Sequence, residues 1–320
     1  MRVGAVVFWV AVAVLLVPAL GVTFARAVEP QRSFWLLVEG FTPVGVVLYG
    51  LVVLLLAVRL VVVRRWWTWA LAAVALAGLL VHCWWFAPQV SGANPPPAAG
   101  AEPMVVMTSN IAHGAGDATA LVRLAESERA DVLVVEEITA ADLAEMDAAG
   151  LADLLPHRVG TPEPDSDGTM VFALERLGPA EALATTHGGW VVALGDLTLV
   201  ATHPQAPTVP EDWRADHAVL LATVEADHPD LVVGDLNATS DHAPMRALAD
   251  AGYRDVGELA DQGWQPTWPA QGSWSLGLPT PPLAQIDHVL VGPRLAAIGM
   301  HTVDVPGSDH RAVVALVARK

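Results

Sequence analysis

Residues 231–238 are Leu-Val-Val-Gly-Asp-Leu-Asn-Ala, an apolar run that ends in a carboxylate and an amide. The run Leu231–Val233 is short and rich in β-branched residues, and it predicts a buried β-strand. Residues two apart in an extended chain face the same side. Asp235 and Asn237 are therefore expected to point at one target just beyond the end of the strand.

Acids, amides and imidazoles also stand at the borders of other apolar runs along the chain. Asn110, Glu136 with Glu137, and His203 follow such runs, Asp287 and His288 interrupt one, and Asp309 and His310 precede the last one. Carboxylates that meet without basic neighbours raise each other's pKa unless a cation lies among them. Because carboxylate, amide and imidazole ligands suit Mg²⁺ or Mn²⁺ better than zinc, we expect one divalent-metal site at these strand ends.

Short apolar runs alternate with amphipathic segments from residue 104 onward. The runs predict strands at Val105–Met107, Asp131–Val135, Val171–Leu174, Val191–Leu194, Leu197–Thr202, Leu231–Val233, Ile286–Val291 and Val313–Val317. The amphipathic segments predict helices at Ala118–Arg129, Ala140–Ala149, Arg214–Ala226 and Pro244–Ala251. Gly195-Asp196 predicts a hairpin turn between two of the strands. This order favours a sandwich of mixed β-sheets with helices outside.

Charge is distributed unevenly along the 320 residues, which carry a net charge of −17 although 53% of them are hydrophobic. Residues 1–100 hold six basic and two acidic side chains, whereas residues 101–320 hold 11 basic and 32 acidic ones, a net charge of −21. This distribution excludes a disordered chain, a disulfide-stapled mini-protein and a basic nucleic-acid-binding domain. The acidic part is long enough to bury a core as one domain.

Three stretches without formal charge, Val3–Ala25, Gly40–Val58 and Trp66–Val90, are each long enough to cross a bilayer, which takes about 20 residues. For the first stretch a cleaved signal peptide is the alternative. We therefore predict a three-span transmembrane anchor over residues 1–90, a Pro-rich linker over 91–103 and a catalytic domain over 104–320.

Basic residues indicate how the chain is oriented in the cell membrane. Arg2 precedes the first span and Arg59, Arg64 and Arg65 separate the second from the third, so the positive-inside rule places these segments in the cytoplasm. Basic residues in the first loop argue against this orientation. An odd number of spans then predicts an extracytoplasmic catalytic domain.

Six motifs of the acidic part together resemble the endonuclease/exonuclease/phosphatase superfamily, also called DNase I-like. They are Thr108–Ile111, Val134–Ile138, Ala201–Pro204, Val233–Ala238, Gln285–Val289 and Ser308–Arg311. Members of the superfamily include nucleases, abasic-site endonucleases, neutral sphingomyelinases and inositol polyphosphate phosphatases. The resemblance implies a four-layer α/β sandwich, in which two mixed β-sheets are flanked by helices.

The resemblance also implies roles for individual residues in metal binding. Glu137 would be the principal ligand of Mg²⁺, or of Mn²⁺, with Asn110 beside it. Asp309 would be the second acidic residue of the metal site. Glu136 stands where the family usually has glutamine, which is a departure from the pattern.

The catalytic roles that the resemblance implies fall on five residues. Asp235 would orient or deprotonate the attacking water, while Asn237 would hold the phosphoryl oxygens and His203 would hydrogen-bond the phosphate. His310, paired with Asp287, would stabilise the transition state or act as acid or base. The Ser-Arg pair that family members often carry near residue 174 is missing here, so substrate contacts from that strand are not implied.

Together these features predict a membrane-anchored, divalent-metal-dependent phosphohydrolase that acts outside the cytoplasm on a phosphoester or pyrophosphate. A lipid-linked substrate such as undecaprenyl pyrophosphate is favoured, because the arrangement is similar to that of the membrane-anchored teicoplanin-resistance (VanJ-type) members. Trp264, Trp268 and Trp274 are candidates for a lipid-facing rim.

Membrane lipids are an expected partner, nucleic acid is disfavoured by the negative charge, and no obligate protein partner is evident. An anchored exterior endonuclease or exonuclease and a non-catalytic binding module on the same fold are the alternatives.

Overall fold

The computed structural model describes residues 2–92, 94–270, 274–275 and 278–320. The chain divides into two compact units, Met1–Pro88 and Gln89–Lys320. The first consists of helices and the second contains the β-sheets.

The first unit has four helices: α1 (Arg2–Val28), α2 (Ser33–Glu39), α3 (Val44–Val62) and α4 (Trp66–Phe86). Three helical segments, Val3–Val28, Val44–Val62 and Trp66–Val90, are long and apolar enough to cross a membrane. The three predicted apolar segments therefore form helices of suitable length and composition, and the short α2 was not predicted.

A buried polar network joins these helices at one end of the unit. The Oγ1 atom of Thr23 lies 2.8 Å from the hydroxyl of Tyr49 and 2.9 Å from Nε2 of His82. His82 Nδ1 lies 3.0 Å from the carbonyl oxygen of Thr42. Gly45 leaves room for the imidazole, since a Cβ there would lie 2.3 Å from the ring. The polar side chains thus find partners inside the bundle, as groups in apolar surroundings must.

The strands described in the second unit are β1 (Met104–Asn110), β2 (Val132–Glu136), β3 (His157–Thr161), β4 (Thr169–Ala173), β5 (Leu177–Ala182), β6 (Gly189–Leu194), β7 (Leu197–Thr202), β8 (Leu231–Asp235), β9 (Arg254–Asp255), β10 (Trp274–Ser275), β11 (Leu278–Pro279), β12 (Asp287–Val291), β13 (Leu295–Asp304) and β14 (Arg311–Arg319). Among the described residues they form two six-stranded sheets, β13-β14-β1-β2-β4-β3 and β5-β6-β7-β8-β12-β9, and a small β10-β11 hairpin. Both large sheets are mixed, because β1–β2 and β7–β8 pair parallel while the neighbouring pairs are antiparallel.

The helices described in the second unit are α5 (Ala118–Glu128), α6 (Ala140–Ala148), α7 (Leu151–Leu154), α8 (Pro210–Asp227), α9 (Ala243–Asp250) and α10 (Val256–Leu259). N-capping residues mark where two of these helices begin. Asp117 caps α5, and Thr139 with Asp142 forms a capping box on α6. The predicted fold, two mixed sheets flanked by helices, is confirmed.

Strand periodicity decides which residues face the interior between the sheets. Val106, Val134 and Val233 belong to one apolar cluster together with inner residues of β7, β12 and β14. Their neighbours Met107 and Leu133 face the opposite way, into a second cluster with α5 and α6. Because both faces of these strands are buried, the central strands are continuous apolar runs rather than alternating ones.

All eight predicted strands are present, and the predicted Gly195-Asp196 turn joins β6 to β7 with Leu194 opposite Leu197. The longer unpredicted strands β3, β5 and β13 are edge strands of the two sheets. Edge strands tolerate polar residues, proline and bulges. β5 contains Gly178-Pro179, and the pairing of β13 shifts between Ala297 and Gly299.

The Pro-rich segment before β1 lies along the second unit. The amide N–H of Gly92 donates to the carboxylate of Asp261, and the side chain of Asn94 donates to the carbonyl of Ala297. Further along, the N–H of Ala98 donates to the carbonyl of Arg319 at 2.8 Å.

Candidate active site

Polar side chains meet at the edge of the interior where the inward-facing apolar residues end. Asn110, Glu136, His203, Asp235 and Asp287 each continue the inward parity of their strand beyond the apolar cluster. Each is at most 2% exposed. The two-residue period that fills the interior with valine and leucine therefore carries these polar groups into one place.

Asp235 lies at the centre of this group. Its Oδ2 atom accepts a hydrogen bond from Asn110 Nδ2 at 3.1 Å, and its Oδ1 atom accepts one from the N–H of Asn237 at 2.9 Å. Nε2 of His203 lies 3.5 Å from Oδ2, and Nε2 of His310 lies 3.7 Å from it. The structure thus brings these five predicted residues together.

Asp287 and His310 form a buried pair, with His310 Nδ1 2.9 Å from Asp287 Oδ2. Burial by itself lowers the pKa of His310, but the nearby carboxylates of Asp287 and Asp235 raise that pKa to about 10. The side chain of Ser308 fixes the turn that carries His310: its hydroxyl donates to the carbonyl of Asn110 at 2.7 Å and accepts the N–H of His310 at 3.0 Å. His310 is accordingly an oriented imidazolium facing Asp235.

His203 and Asn237 are in contact on the other side of Asp235. The Nδ2 atom of Asn237 lies 3.1 Å from His203 Nε2 and donates to the carbonyl of Pro204 at 3.0 Å. His203 Nδ1 lies 3.3 Å from the carbonyl of Ser166. This network assigns the proton to Nδ1. Burial lowers the pKa of His203, and the negative charges of Asp235 and Glu137, which would raise that pKa, offset the effect of burial only in part. Donation to a phosphate, the predicted role, needs a proton on Nε2.

Glu137 leaves β2 with a left-handed backbone, φ 58°, which turns its side chain away from the interior. Its Oε1 atom lies 3.9 Å from Nε2 of His203, and its Oε2 atom lies 3.0 Å from Nδ1 of His113. Glu137 and Asn110 therefore border the same site. Asp309, next to His310, is exposed, and its carboxylate accepts a hydrogen bond from Trp268 Nε1 at 3.2 Å.

Glu136 faces the interior instead, where the hydroxyl of Thr108 donates to its Oε1 atom at 2.7 Å. Burial raises the pKa of Glu136 to about 8, and the charges of Asp287 and Asp235 add to the shift. Gly234 makes room for the carboxyl group, because a Cβ at that position would lie 3.1 Å from Glu136 Oε1 and collide with the carbonyl of Thr202. At neutral pH Glu136 is a neutral acid, which is the ionisation state closest to the glutamine that the family usually has.

The donor set fits a divalent cation. One ligand atom each from Asp235, Asp287 and His310 lies within 4.8 Å of the others. Oδ1 of Asp287 is buried without a hydrogen-bond partner among the described residues. An unsatisfied carboxylate oxygen in a group of oxygen and imidazole donors is what a hard or borderline cation requires.

Two further histidines border the site and were not predicted. His113 contacts Glu137, and the ring of His187 lies against that of His203 with centroids 4.9 Å apart. His187 Nδ1 lies 2.9 Å from Asp167 Oδ1. Both histidines are in loops, where no periodicity signals which way a side chain points.

Buried groups hold the loop that carries Asn237. The indole N–H of Trp213 donates to the carbonyl of Asn237 at 2.9 Å. Nε2 of His288 lies 2.9 Å from the carbonyl of Ala238, and its Nδ1 lies 2.8 Å from Asp255. Burial lowers the pKa of His288, yet its hydrogen bond to Asp255 and the charge of that carboxylate give a net increase. His288 therefore ties the catalytic loop to the start of α10.

Of the predicted tryptophan rim, Trp268 contacts Asp309, whereas the side chain of Trp274 lies outside the described residues. Trp264 is half-buried. The rim remains a prediction.

Comparisons with known proteins agree with this geometry. Residues 107–310 match the profile of the Endonuclease/Exonuclease/phosphatase family. Because the match spans more than half of the chain, the chain belongs to that family of metal-dependent phosphoesterases, and the prediction of a metal-dependent phosphoric ester hydrolase is confirmed at this level. A comparison with curated proteins gives no match.

Solved structures show the same fold at low sequence identity. A family protein from Bacteroides thetaiotaomicron is 12% identical, with a TM-score of 0.53 over 69% of this chain and 99% of that one. The TDP2 protein of D. rerio in complex with a single-strand DNA product is 14% identical, with a TM-score of 0.53 over 68% and 99%. An AP endonuclease from Archaeoglobus fulgidus is 14% identical, with a TM-score of 0.53 over 66% and 98%.

Proposed function

We propose that the chain is a membrane-anchored phosphohydrolase that cleaves a phosphoester or pyrophosphate bond of a lipid-linked substrate outside the cytoplasm. One observation carries the hydrolytic part of the proposal. The Oδ2 atom of Asp235 lies 3.7 Å from Nε2 of His310, whose ring is oriented by a second buried carboxylate, Asp287. A base beside an oriented acid is the arrangement that hydrolysis of a phosphoester needs.

Each residue has a task in this proposal. A divalent cation, Mg²⁺ or Mn²⁺, neutralises charge on the phosphoryl oxygens when bound. Asp235, held by Asn110 and by the backbone of Asn237, orients water and accepts its proton. His310 donates from Nε2 to the phosphoryl or leaving-group oxygen, and Asp287 keeps its ring in place. Asn237 contributes a further donor through its side-chain amide, and His203 would add one only when Nε2 carries a proton.

The metal ligands in this proposal are Glu137 and Asn110, with Asp309 as the predicted second acid. The contacts of Glu137 with two imidazoles and of Asn110 with Asp235 support placing the cation on this side of the site. Ligand atoms of Asp235, Asp287 and His310 also lie within 4.8 Å of one another, but an imidazolium has no lone pair for a cation, so this group serves proton transfer in the proposal.

The lipid-linked substrate rests on the three apolar helices and on charge. Tethering an active site to a membrane raises the effective concentration of a lipid substrate. A net charge of −21 on residues 101–320 disfavours polyanionic nucleic acid, whose binding depends on basic side chains. An undecaprenyl pyrophosphate-type substrate, as implied by the resemblance to teicoplanin-resistance (VanJ-type) members, fits both features.

Full-length protein in detergent micelles tests this function. It is assayed with Mg²⁺ on a polyprenyl pyrophosphate, a phospholipid, an inositol phosphate and plasmid DNA, alongside Asp235→Asn and Asp153→Asn. Asp153 is an exposed acid on α7 and serves as the matched control. We expect phosphate release from the polyprenyl substrate by wild type and by Asp153→Asn, and none by Asp235→Asn. Absence of release from every lipid would contradict the proposal.

The orientation of the catalytic domain across the membrane is tested separately by labelling an introduced cysteine, after the single native cysteine, Cys83, has been replaced. In a Cys83→Ser background, Ser127→Cys on the exposed end of α5 is treated in intact cells with a membrane-impermeant maleimide. Labelling supports an extracytoplasmic domain. Labelling only after lysis places it in the cytoplasm.

An exterior nuclease is the second candidate, favoured by the fold shared with the D. rerio protein in complex with a DNA product. Mg²⁺-dependent nicking of plasmid DNA that Asp235→Asn abolishes would support it over the lipid phosphohydrolase. A binding module without catalysis is favoured only if the chain fails to bind Mg²⁺ or Mn²⁺ at millimolar concentration.

A further inference from the structure

His113 and Glu137 are in direct contact at the mouth of the site. Nδ1 of His113 lies 3.0 Å from Oε2 of Glu137, and the His113 side chain is 50% exposed against 12% for Glu137. The other carboxylate oxygen of Glu137 faces His203. His113 thus covers the one oxygen of Glu137 that is turned away from His203.

The backbone holds this contact at an energetic cost. Ala112, His113 and Glu137 all have positive φ values, 51°, 52° and 58°, in a region that side chains with a Cβ disfavour. Asn110 at the end of β1 fixes the turn that carries His113, because the N–H of Ala112 donates to Asn110 Oδ1 at 2.9 Å. Strained residues that the surrounding structure holds in place cluster at functional sites.

The separation of the two atoms suits two ligands of one ion. Ligands about 2.1 Å from a cation and at right angles to each other are about 3.0 Å apart. Imidazole nitrogen is a poor ligand for Mg²⁺ and a good one for first-row transition metals. A nitrogen beside Glu137 therefore changes which cation the site prefers.

We propose that His113 Nδ1 and Glu137 Oε2 bind the same divalent cation, and that this nitrogen makes the site select Mn²⁺ over Mg²⁺. The proposal rests on the metal-binding role of Glu137 in the proposed function. It adds a ligand in the loop after β1 that the family motifs in this sequence do not include.

Mn²⁺ binding to the full-length protein tests the proposal without an activity readout. Free Mn²⁺ is counted by electron paramagnetic resonance, and electron spin-echo modulation detects ¹⁴N of a directly bound imidazole. We expect His113→Gln to weaken Mn²⁺ binding on the order of ten-fold, to leave Mg²⁺ competition less changed, and to reduce the ¹⁴N modulation. His301→Gln is the matched control, because His301 is also half-exposed and paired with a glutamate, Glu128, at 3.3 Å.

The outcomes separate this proposal from the proposed function. Unchanged Mn²⁺ affinity and ¹⁴N modulation in His113→Gln would overturn it, even with full hydrolysis by wild type. A loss confined to His113→Gln supports it, even if wild type hydrolyses no phosphoester. An equal loss in His301→Gln would also overturn it, since the effect would then not come from the site.

Discussion

Carboxylates at the two ends of the β-sandwich have different partners, although strands β2 and β8 supply an acid to each end. Asp131 precedes β2 and Glu136 ends it, while Asp230 precedes β8 and Asp235 ends it. Glu136, Asp230 and Asp235 are at most 2% exposed and Asp131 is half-buried, and the four acids differ in what surrounds them.

At the strand starts each carboxylate has donors of its own. Asp131 accepts the N–H of Val105 at 2.7 Å. Asp230 accepts the N–H of Thr198 at 2.9 Å and pairs with the guanidinium of Arg294. Backbone N–H groups and an arginine provide the hydrogen-bond donors for these acids, so their role is to stabilise the fold.

At the strand ends the carboxylates face one another and the imidazoles of His203 and His310 instead. Glu136 is driven towards its neutral form, and Asp287 keeps one oxygen without a partner among the described residues. Such an arrangement is unfavourable unless a proton or a cation completes it. The comparison teaches that the partners of a buried acid, more than its burial, indicate chemistry.

The largest expected effect on kcat comes from replacing aspartate by asparagine at the two ends of β8, at Asp235 and at Asp230. Asp235→Asn should lower kcat by about 10³-fold, the scale of a lost general base, with little loss of stability because it removes a charge from a crowded site. Asp230→Asn should leave kcat unchanged and lower the free energy of unfolding by about 1–3 kcal/mol, since Thr198 and Arg294 lose the negative charge and one of the two acceptor oxygens. Steady-state kinetics and thermal unfolding of both variants decide. Equal effects on kcat would contradict the comparison.

The next effect is a pH-dependent gain in stability from Glu136→Gln. The pKa of about 8 for Glu136 in the folded chain exceeds its ordinary value of 4.5, so the stability that its proton contributes is complete below pH 4.5 and is lost as pH rises through 8. Glutamine avoids this loss. The stability advantage of the variant over wild type should therefore grow as pH rises from 4.5 and reach on the order of a few kcal/mol at pH 8 and above.

Thermal unfolding in detergent with a chelator, at several pH values, measures this gain. Glu145→Gln on the exposed face of α6 is the control. A difference between Glu136→Gln and wild type that does not change with pH would show that folding does not raise the pKa of Glu136.

Sequence patterns could predict the convergence of the site but not its finer geometry. Asp235 follows an apolar run and Asp287 precedes one, and the two-residue period that buries Val233 and Val289 sets their direction. Glu136 and Glu137 are adjacent and chemically alike. Alternation predicts that they face opposite sides, but no local pattern announces the left-handed backbone at Glu137, which sets where its side chain points.

Loops and sheet edges set the limit of prediction elsewhere as well. His113 and His187 reach the site through turns, so their contacts depend on tertiary structure. The edge strands β3 and β13 lack the continuous apolar pattern because one side of their backbone has no partner strand.

A smaller effect is expected from the buried support of the catalytic loop. His288→Gln loses the oriented contact to the carbonyl of Ala238 and should lower kcat about ten-fold, with KM little changed, because Asn237 is displaced by a fraction of an ångström. Leu151→Ala, buried in this unit in the cluster with α5 and α6, is the matched control for lost packing. Rate constants for both variants at equal folded fraction test this. Equal losses in the two would assign His288 a purely structural role.

The smallest effect is expected at the start of β2, where the comparison predicts structure without chemistry. Asp131→Asn keeps the shape of the side chain but weakens its hydrogen bond to the N–H of Val105, a loss of about 1 kcal/mol in the free energy of unfolding. Because the other end of the same strand carries Glu136, a rigid sandwich should confine the change to one end. Unfolding midpoints and kcat measured side by side would show this as a lower midpoint with unchanged turnover. A fall in kcat would mean that the two ends of β2 are coupled, and that the acids at the strand starts also influence the chemistry.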